Sequence, residues 1–205
     1  MMVVINIYMM TIMYKVKNYL ESKMRVSREQ VRENKEKLLE AAGKLFKSRG
    51  FEAVTVNDVM KSAGLTHGGF YGYFESKDDL INQTLINLRE TADPLPGDLA
   101  NFMVQYLSVP HIDDLARGCP VAALAPETIR QSKKARGEMT SGLAAQYERL
   151  AKISPGKTAA DKRQAAIGIW SAMVGALILA RASDNAKLSK EILDGTRVWI
   201  NSRAY

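Results

Sequence analysis

The most constraining feature of this chain is the segment from residue 55 to residue 77, TVNDVMKSAGLTHGGFYGYFESK. Thr55 and Asp58 have the spacing of a capping box, in which each side chain accepts a hydrogen bond from the other residue's backbone N–H. Gly64 can adopt a left-handed backbone at little steric cost, so a short helix is expected to end there and the chain to turn sharply. Thr66 is placed to cap a second short helix. The segment therefore predicts two short helices joined by a tight turn.

The second of these helices is predicted to divide its side chains between a core face and an outer face. Phe70 and Phe74 are four residues apart, so both are expected to face the core. The residues then left nearer the outside are His67, Gly68, Tyr71 and Tyr73. A helix presented in this way after a tight turn is the arrangement that reads base edges in the major groove. We therefore predict a helix-turn-helix and a double-stranded DNA operator as partner.

A third helix is predicted to begin where Ser76 and Asp79 can cap it, with Lys77 in its first turn. Lysine opposes the helix dipole there, but it suits a phosphate that lies against the helix end. The predicted phosphate contacts are the N-terminal arm, Thr55, Tyr73 and Lys77. The predicted groove-facing residues are His67, Gly68 and Tyr71, and Thr66 is a further predicted DNA contact.

A first helix, expected from about residue 30 to residue 49, ends in KLFKSRGFEAVTVNDV, and AGLTHGGFYGYFESKDDL follows. In the order and spacing of these positions, residues 28–90 resemble the DNA-binding domain of the tetracycline-repressor (TetR) family of transcriptional regulators. The resemblance implies an all-helical homodimer and a palindromic operator. It also implies a C-terminal domain that binds a small-molecule effector, changes the spacing of the two recognition helices and releases the DNA, with repression as the expected outcome.

One departure from the family pattern lies in the recognition helix. Gly68, Gly69 and Gly72 crowd a helix of about eight residues, and each glycine costs about 1 kcal/mol relative to alanine in a helix interior. We therefore expect packing and DNA to order this helix, and few of its side chains to read bases.

The charge of the chain is compatible with a nucleic-acid partner. The net charge is +7, and residues 24–50 alone hold 8 Lys and Arg residues against 4 Asp and Glu residues. Local positive charge of this kind can neutralise phosphates, and binding then weakens steeply with salt. The same run also fits a solvated helix face.

The first 23 residues begin with an apolar run that lacks the positive region and cleavage site of a secretory signal. We weigh three interpretations: a mis-assigned start or disordered extension, a real extra helix, or a membrane-associated segment. The predicted domains are this extension (1–23), a helix-turn-helix domain with its connector helix (24–90), and a helical ligand-binding and dimerisation domain (91–205). Without a convincing export signal, a cytoplasmic location is expected, with no membrane partner.

The rest of the chain is predicted to be helical, and β-type alternation does not persist anywhere. Residues 93–97 break the connector helix, because they contain two prolines and a glycine. The expected helices beyond are 99–109 (ended by Pro110), one from Pro120 that is kinked at Pro126, 134–153, 159–182 and 186–202. The fold class is therefore all-α, with an N-terminal three-helix domain and a C-terminal bundle.

Residues 165–180, AAIGIWSAMVGALILA, contain no charged side chain. A membrane span would need about twenty such residues, so a buried core helix or a helix at a dimer interface fits better. Small residues would let the helix of a second copy approach closely, and larger ones would fill the gaps. The predicted interface residues are Gly168, Ile169, Ala172, Met173, Gly175, Ala176 and Leu177.

Cys119 is the one cysteine in the chain. Its place before Pro120 could put the thiol at a helix N-terminus, where the pKa of a thiol falls and the thiolate becomes reactive. Sensing of oxidants or electrophiles is therefore one alternative, and a small buried hydrophobe is the other. The two histidines are far apart, so no metal site and no cofactor are predicted.

The effector pocket is expected among the helices after residue 99. The predicted lining residues, each of which also fits a plain core role, are Phe102, Tyr106, Cys119, Leu124, Tyr147, Trp170 and Met173. Few buried charges are expected, which favours an apolar or aromatic effector. No nucleophile–base pair, carboxylate constellation or phosphate loop is evident, so we do not expect an enzyme. A membrane-tethered regulator and a helical enzyme are the weaker alternatives.

Overall fold

The computed structural model describes the backbone of residues 2–204 and the side chains of residues 13–15 and 27–202. Over this part of the chain the protein is helical throughout, without a strand, which confirms the predicted all-α class. The helices are α1 (Met2–Ala53), α2 (Val56–Ser62), a 3-10 helix (His67–Gly72, the recognition segment), α3 (Lys77–Glu90), α4 (Leu99–Tyr106), α5 (Val109–Asp113), α6 (Pro120–Thr128), α7 (Lys133–Ala151), α8 (Ala159–Ala182) and α9 (Ala186–Ala204).

Helix α1 is longer than the sequence pattern predicted, because its backbone is helical from Met2 rather than from about residue 30. Its regular part ends at Arg49, as expected, because Gly50 has φ 81° and ψ 167° and lies outside helical geometry. The interpretations given above for residues 1–23, and the proposed domain boundaries, stay predictions. Within that stretch only the side chains of residues 13–15 are described.

The N-terminal domain has its own core, formed by α1, α2, α3 and the recognition segment. Phe46 and Phe51 meet edge to face across the Gly50 bend, with ring centroids 5.2 Å apart. Phe70 and Phe74 are 1% and 2% exposed, as predicted for the inner face of the recognition segment. Burial of each such aromatic side chain contributes roughly 1.5–3 kcal/mol. This core fixes the angle between the recognition segment and α1.

Helices α6 and α7 join this core from the C-terminal side. Leu124 of α6 and Ala135 of α7 are fully buried in the cluster that also contains Leu38, Phe46 and Leu80. Leu124, predicted to line an effector pocket, thus packs in this core and is not on the wall of the cavity described below. The sequence pattern identifies it as an inward-facing residue, but the core that it enters is that of the DNA-binding domain.

The C-terminal core surrounds α8, which packs against α7 and α9. Its buried residues include Phe102 and Met103 of α4, Leu150 of α7, Trp170 and Met173 of α8 and Leu193 of α9. By length and composition α8 could cross a membrane. Seven of its residues are buried within this core, which agrees with the buried core helix that was one interpretation of this apolar run.

One proline marks a helix end differently from expectation. Pro110 was predicted to end a helix that runs to residue 109, but α4 ends at Tyr106 and Pro110 lies in the first turn of α5. Proline is favoured there because the first-turn N–H has no intrahelical partner to lose. Pro120 starts α6, as predicted, and Pro126 lies inside that helix, where the expected kink stays a prediction.

Candidate DNA interface and effector cavity

The first half of the helix-turn-helix has the predicted local geometry. The Thr55 hydroxyl accepts a hydrogen bond from the Asp58 backbone N–H at 3.1 Å, and the Asp58 carboxylate accepts one from the Thr55 N–H at 2.8 Å. Gly64 has φ +72°, and the N–H groups of Gly64 and Leu65 donate to the carbonyls of Lys61 and Met60. This pattern is a Schellman motif, which ends α2 and turns the chain.

The recognition segment is a 3-10 helix of six residues rather than an α-helix of about eight. Its backbone hydrogen bonds join an N–H to the carbonyl three residues earlier, as between the Gly69 N–H and the Thr66 carbonyl at 3.1 Å. Thr66 occupies the position before the helix, but its side chain makes no capping hydrogen bond, so that predicted cap is wrong. The glycines explain the shortened helix, because glycine favours the α-helix poorly and packing sets the remaining geometry.

The outer surface of this segment matches the expected division of faces. His67 and Gly68 are exposed, and Tyr71 is 78% exposed while the neighbouring Phe70 is buried. A Cβ atom added at Gly68 or at Gly72 would meet no other atom within 4 Å. The surface is therefore open to a partner that approaches from outside. Its assignment as the groove-facing surface stays a prediction.

Two predicted phosphate contacts also hold the domain together. The Tyr73 hydroxyl accepts a hydrogen bond from the Asn34 side-chain amide at 3.1 Å, and the Lys77 ammonium donates to the Glu52 carbonyl at 3.4 Å. Lys77 thus lies against the carbonyl end of α1, where a positive charge is favourable. No local sequence pattern points to Asn34, since it lies 39 residues away from Tyr73 along the chain.

A cavity of about 360 Å³ lies where α1, α3, α4, α7 and α8 meet. Four of the predicted lining residues, Phe102, Tyr106, Cys119 and Trp170, are on its wall. Three others, Leu124, Tyr147 and Met173, are not. Met173 is fully buried in the C-terminal core, and Tyr147 packs against that core from its edge. Helical periodicity grouped these residues on inward faces but could not tell core from cavity wall.

The aromatic part of the wall is a contiguous group of rings. The rings of Phe102 and Trp170 are stacked, with centroids 5.9 Å apart and an interplanar angle of 20°. Tyr106 lies 5.0 Å from Trp170 and 4.6 Å from His111, centroid to centroid. The Tyr106 hydroxyl and the Trp170 indole nitrogen are buried and have no oxygen or nitrogen hydrogen-bond partner among the described residues.

The same wall carries more charge than the sequence suggested. Its charged residues are Lys47, Arg89, Asp93, Arg117, Glu138 and Arg149. They come from α1, α3, α7 and two connecting segments, so no local pattern in the sequence could have grouped them. Arg89 pairs with Glu138 at 3.1 Å, and Arg117 pairs with Asp114 at 2.6 Å. None of the six is buried, so the expectation of few buried charges holds, but the wall is less apolar than predicted.

Cys119 stands at the N-terminus of α6, as predicted, and its sulfur accepts a hydrogen bond from the Ala122 N–H at 3.5 Å. The expected lowering of its pKa is nevertheless wrong. Burial raises the pKa of the thiol, and the opposing hydrogen bonds from the Tyr106 hydroxyl and backbone N–H groups do not compensate. A thiol that stays protonated is a weak nucleophile, which favours the interpretation of Cys119 as a buried small residue.

His111 fixes the loop that precedes α6. Its Nε2 accepts a hydrogen bond from the Cys119 N–H at 3.0 Å, so Nδ1 carries the proton and donates it to the Tyr106 carbonyl at 2.7 Å. Burial lowers the pKa of His111, with its hydrogen bond to Tyr106 opposing, in keeping with a neutral ring. Among the described residues, no group of three or more His, Cys, Asp or Glu side chains could hold a metal ion.

Helix α6 connects the cavity to the helix-turn-helix. Cys119, at its start, is on the cavity wall, and Glu127, near its end, accepts a hydrogen bond from the Phe51 backbone N–H at 2.7 Å. Gly50 is pressed against the same carboxylate, which a Cβ atom at that position would overlap. A second contact nearby joins the Gln131 amide to the Glu52 carboxylate at 3.3 Å.

The outer face of α8 and α9 is partly apolar. Four exposed aliphatic residues lie along it, namely Ile167, Leu179, Leu188 and Val198. Of the predicted interface residues, Gly168 is exposed and Ala172 and Gly175 are half-buried. The other four, Ile169, Met173, Ala176 and Leu177, are at most 8% exposed within the protomer core. These four side chains pack within the protomer, on the face of α8 that points into its core, and the interface assignment stays a prediction.

The fold and the two sites define a class of protein. It is a helix-turn-helix protein with two helical parts. The small N-terminal part, which carries the helix-turn-helix and is called the reading domain below, is joined by hydrogen bonds and packing to a larger helical domain that contains a cavity. A family model described as "Bacterial regulatory proteins, tetR family" matches residues 38–84, the helix-turn-helix and its flanking helices. Residues 38–84 therefore resemble the DNA-binding domain of this family.

Curated relatives match only over the N-terminal part. The regulator TtgR of Pseudomonas putida is 35% identical over 72 residues, which is 35% of this chain and 34% of that protein. The repressor KstR2 of Mycobacterium tuberculosis is 30% identical over 94 residues, 40% of this chain and 47% of that protein. The match thus spans between a third and a half of these relatives, all of which are described as helix-turn-helix transcriptional regulators.

Solved structures extend the likeness to most of the fold. The reduced form of Escherichia coli NemR has a TM-score of 0.62 and 20% identity, with 83% of this chain and 96% of that chain covered. A TetR-family regulator from Agrobacterium tumefaciens has a TM-score of 0.66 and 19% identity, with 84% and 98% covered. At such identities the likeness establishes the shared fold, and not a shared effector or operator.

Proposed function

We propose that this protein is a transcriptional repressor that binds a palindromic operator as a homodimer and is released by a small-molecule effector. The observation that carries the proposal is a physical connection. Helix α6 begins on the wall of a cavity at Cys119 and ends with Glu127 bonded to the base of the helix-turn-helix. This arrangement suits a protein whose cavity controls DNA binding, and the regulators matched above share the reading domain.

The exposed surface of the recognition segment supplies the DNA contact. His67, Gly68 and Tyr71 face outward and enter the major groove, while exposed basic residues of α1, with Thr55, Tyr73 and Lys77, contact phosphates. The three glycines let the backbone approach the DNA closely. Base readout therefore rests on few side chains, and we assign Tyr71 the largest share because it is 78% exposed.

Homodimerisation supplies the second recognition segment. Two half-sites about one helical turn apart need two reading domains at a fixed distance. The exposed apolar residues of α8 and α9, with Gly168 between them, form the surface that a second copy covers. An isologous pairing of these helices gives a four-helix bundle on a two-fold axis.

The release step uses α6 as a lever. Its nine residues span about 13 Å at 1.5 Å per residue, from the cavity wall to the Gly50 bend. An effector that prefers a different position of α6 shifts the Phe51 contact and with it the orientation of the reading domain. The size of the response equals the difference in effector affinity between the two conformers. The protein acts in the cytoplasm and has no enzymatic role.

The test is binding of the full chain to the DNA that flanks its own gene, measured by fluorescence anisotropy across a salt series. Tyr71→Ala should weaken specific binding about tenfold, which corresponds to about 1.4 kcal/mol. Val104→Ala is the matched control, since Val104 is 53% exposed on α4 and lies in the C-terminal domain. Binding that is equally weak on all DNA and unchanged by Tyr71→Ala would contradict the proposal.

A further inference from the structure

The cavity wall shows what kind of molecule it can hold. Resting on the proposed function, we propose that the effector is an aromatic molecule with one anionic group, and that Lys47 binds the anionic group. The cavity volume of about 360 Å³ falls within the range of small-molecule sites. The aromatic preference follows from the rings of Phe102, Tyr106 and Trp170, which offer faces and edges for stacking.

The anionic preference follows from the charge balance of the wall. Four Lys or Arg residues and two Asp or Glu residues line it, a balance of +2. Arg89 is neutralised by Glu138, and Arg117 by Asp114 just outside the wall. Lys47 and Arg149 remain, and neither has a carboxylate oxygen within 4 Å in the described part of the chain. Asp93 is the one acidic residue left on the wall, and it is exposed.

Lys47 is better placed than Arg149 to hold the anionic group beside the rings. Its ammonium donates to the Gly118 carbonyl at 3.3 Å, and the next residue, Cys119, lies beside the Tyr106 hydroxyl. An ammonium has three donors, and this long bond uses one of them. Two nitrogens of Arg149 are already bonded, Nη1 to the Asp93 carbonyl and Nη2 to the Gln146 side chain, and its unpartnered Nε is buried.

Two further features support an acceptor-rich ligand at this end of the cavity. The Trp170 side chain is 95% buried, and its indole N–H has no hydrogen-bond partner in the described part of the chain. Burial also lowers the pKa of Lys47, and an anion bound beside it would offset that desolvation. A carboxylate can accept more than one hydrogen bond, so it can use the free donors of the Lys47 ammonium.

The position of Lys47 gives the ligand a direct route to the reading domain. Lys47 belongs to α1, whereas the rest of this end of the cavity belongs to the C-terminal domain. An anion that draws the ammonium away from Gly118 therefore changes a bond between α1 and the segment that begins α6. Effector charge, and not only effector shape, would set the orientation of the two domains.

The experiment compares three probes of nearly equal shape: naphthoate, naphthalenemethanol and naphthylmethylamine. Their binding to the full-length protein is measured by calorimetry without DNA. Naphthoate should bind about tenfold or more tightly than the neutral alcohol, and the cationic amine more weakly still. Equal binding of the three, a preference for the alcohol or amine, or no binding of naphthoate overturns the proposal.

Variants then test the role of Lys47. Lys47→Gln should lose about tenfold in naphthoate affinity but little in alcohol affinity, and Lys47→Arg should retain most of the naphthoate affinity. Arg117→Gln is the matched control, because Arg117 lines the cavity but is 81% exposed and paired with Asp114. An equal loss for both probes in Lys47→Gln, or an equal loss in Arg117→Gln, refutes the assignment.

These measurements separate the ligand class from the proposed function. Naphthoate selectivity without any operator binding would support the proposed ligand class and contradict the proposed regulatory function. Operator binding with no preference for the anionic probe would do the reverse.

Discussion

The bond between Glu127 and the Phe51 backbone N–H is a test of how α6 holds the reading domain. The carboxylate oxygen lies 2.7 Å from the nitrogen, and Phe51 is fully buried. In Glu127→Ala the Phe51 N–H loses its acceptor, which costs about 1–3 kcal/mol. Glu127→Gln keeps a neutral acceptor and should cost about half as much.

Urea and thermal unfolding measure this effect. A loss of about 2 kcal/mol in the free energy of unfolding corresponds to a fall in Tm of roughly 4–8 °C for a chain of this size. Glu148→Ala is the control, since Glu148 is exposed on α7. If Glu127→Ala unfolds at the same temperature as Glu148→Ala, the bond does not hold the two domains together and the lever mechanism loses its support.

Substitution of Gly50 can separate the cost of backbone strain from the cost of steric overlap with the Glu127 carboxylate. Gly50→Ala places a Cβ atom against the Glu127 carboxylate and also forces alanine to adopt φ +81°, ψ 167°, a region used almost only by glycine. In the Glu127→Ala background the overlap disappears and only the backbone strain, about 1–3 kcal/mol, remains. A Gly50→Ala cost that is equal in both backgrounds would show that Glu127 does not press against residue 50.

Three further predictions concern the turn, the thiol and the dimer. Gly64→Ala should destabilise the protein by about 1 kcal/mol or more in thermal unfolding, because Gly64 has φ +72°. Gly72→Ala should be neutral or stabilising by up to about 1 kcal/mol, because a Cβ atom there meets no neighbour. The opposite order of stabilities would refute the turn geometry. Cys119 should react slowly with iodoacetamide near neutral pH until the protein unfolds. Since its pKa is raised in the folded state, the free energy of unfolding should fall as the pH rises above the pKa of the unfolded thiol, about 8.5. Rapid alkylation of the native protein would show that the thiol is not shielded. Leu179→Asp should convert dimer to monomer in size-exclusion chromatography with light scattering, whereas Val104→Asp should not, and an unchanged dimer would remove the outer face of α8 from the interface.

Local chemistry explains why parts of the fold were predictable. The capping box at Thr55, the turn at Gly64 and the first turn of α6 at Pro120 depend on residues within one helical turn of one another. The bounds of α8 were likewise predicted, because caps lie at both ends of one apolar run. Where glycines weakened the helical pattern, the predicted helix type and length were less accurate. The recognition segment is a short 3-10 helix and not the predicted helix of about eight residues.

Assignment of inward-facing residues to particular sites was less successful. Periodicity placed Leu124 and Met173 on buried faces, and both are fully buried. One fills the core of the reading domain and the other the C-terminal core. A periodic pattern identifies which residues share a face of one helix, but it contains no information about which partner covers that face.

By itself, the sequence determined the helix-turn-helix, the all-helical class and the family resemblance, because each rests on contacts between residues close in the chain. The tertiary structure alone decided the contents of the cavity and its connection to the reading domain. Lys47 and Gly118 are 71 residues apart, and Phe51 and Glu127 are 76 residues apart. Such pairs form only when distant helices pack together, and the charge of the wall and the position of the α6 contact depend on them.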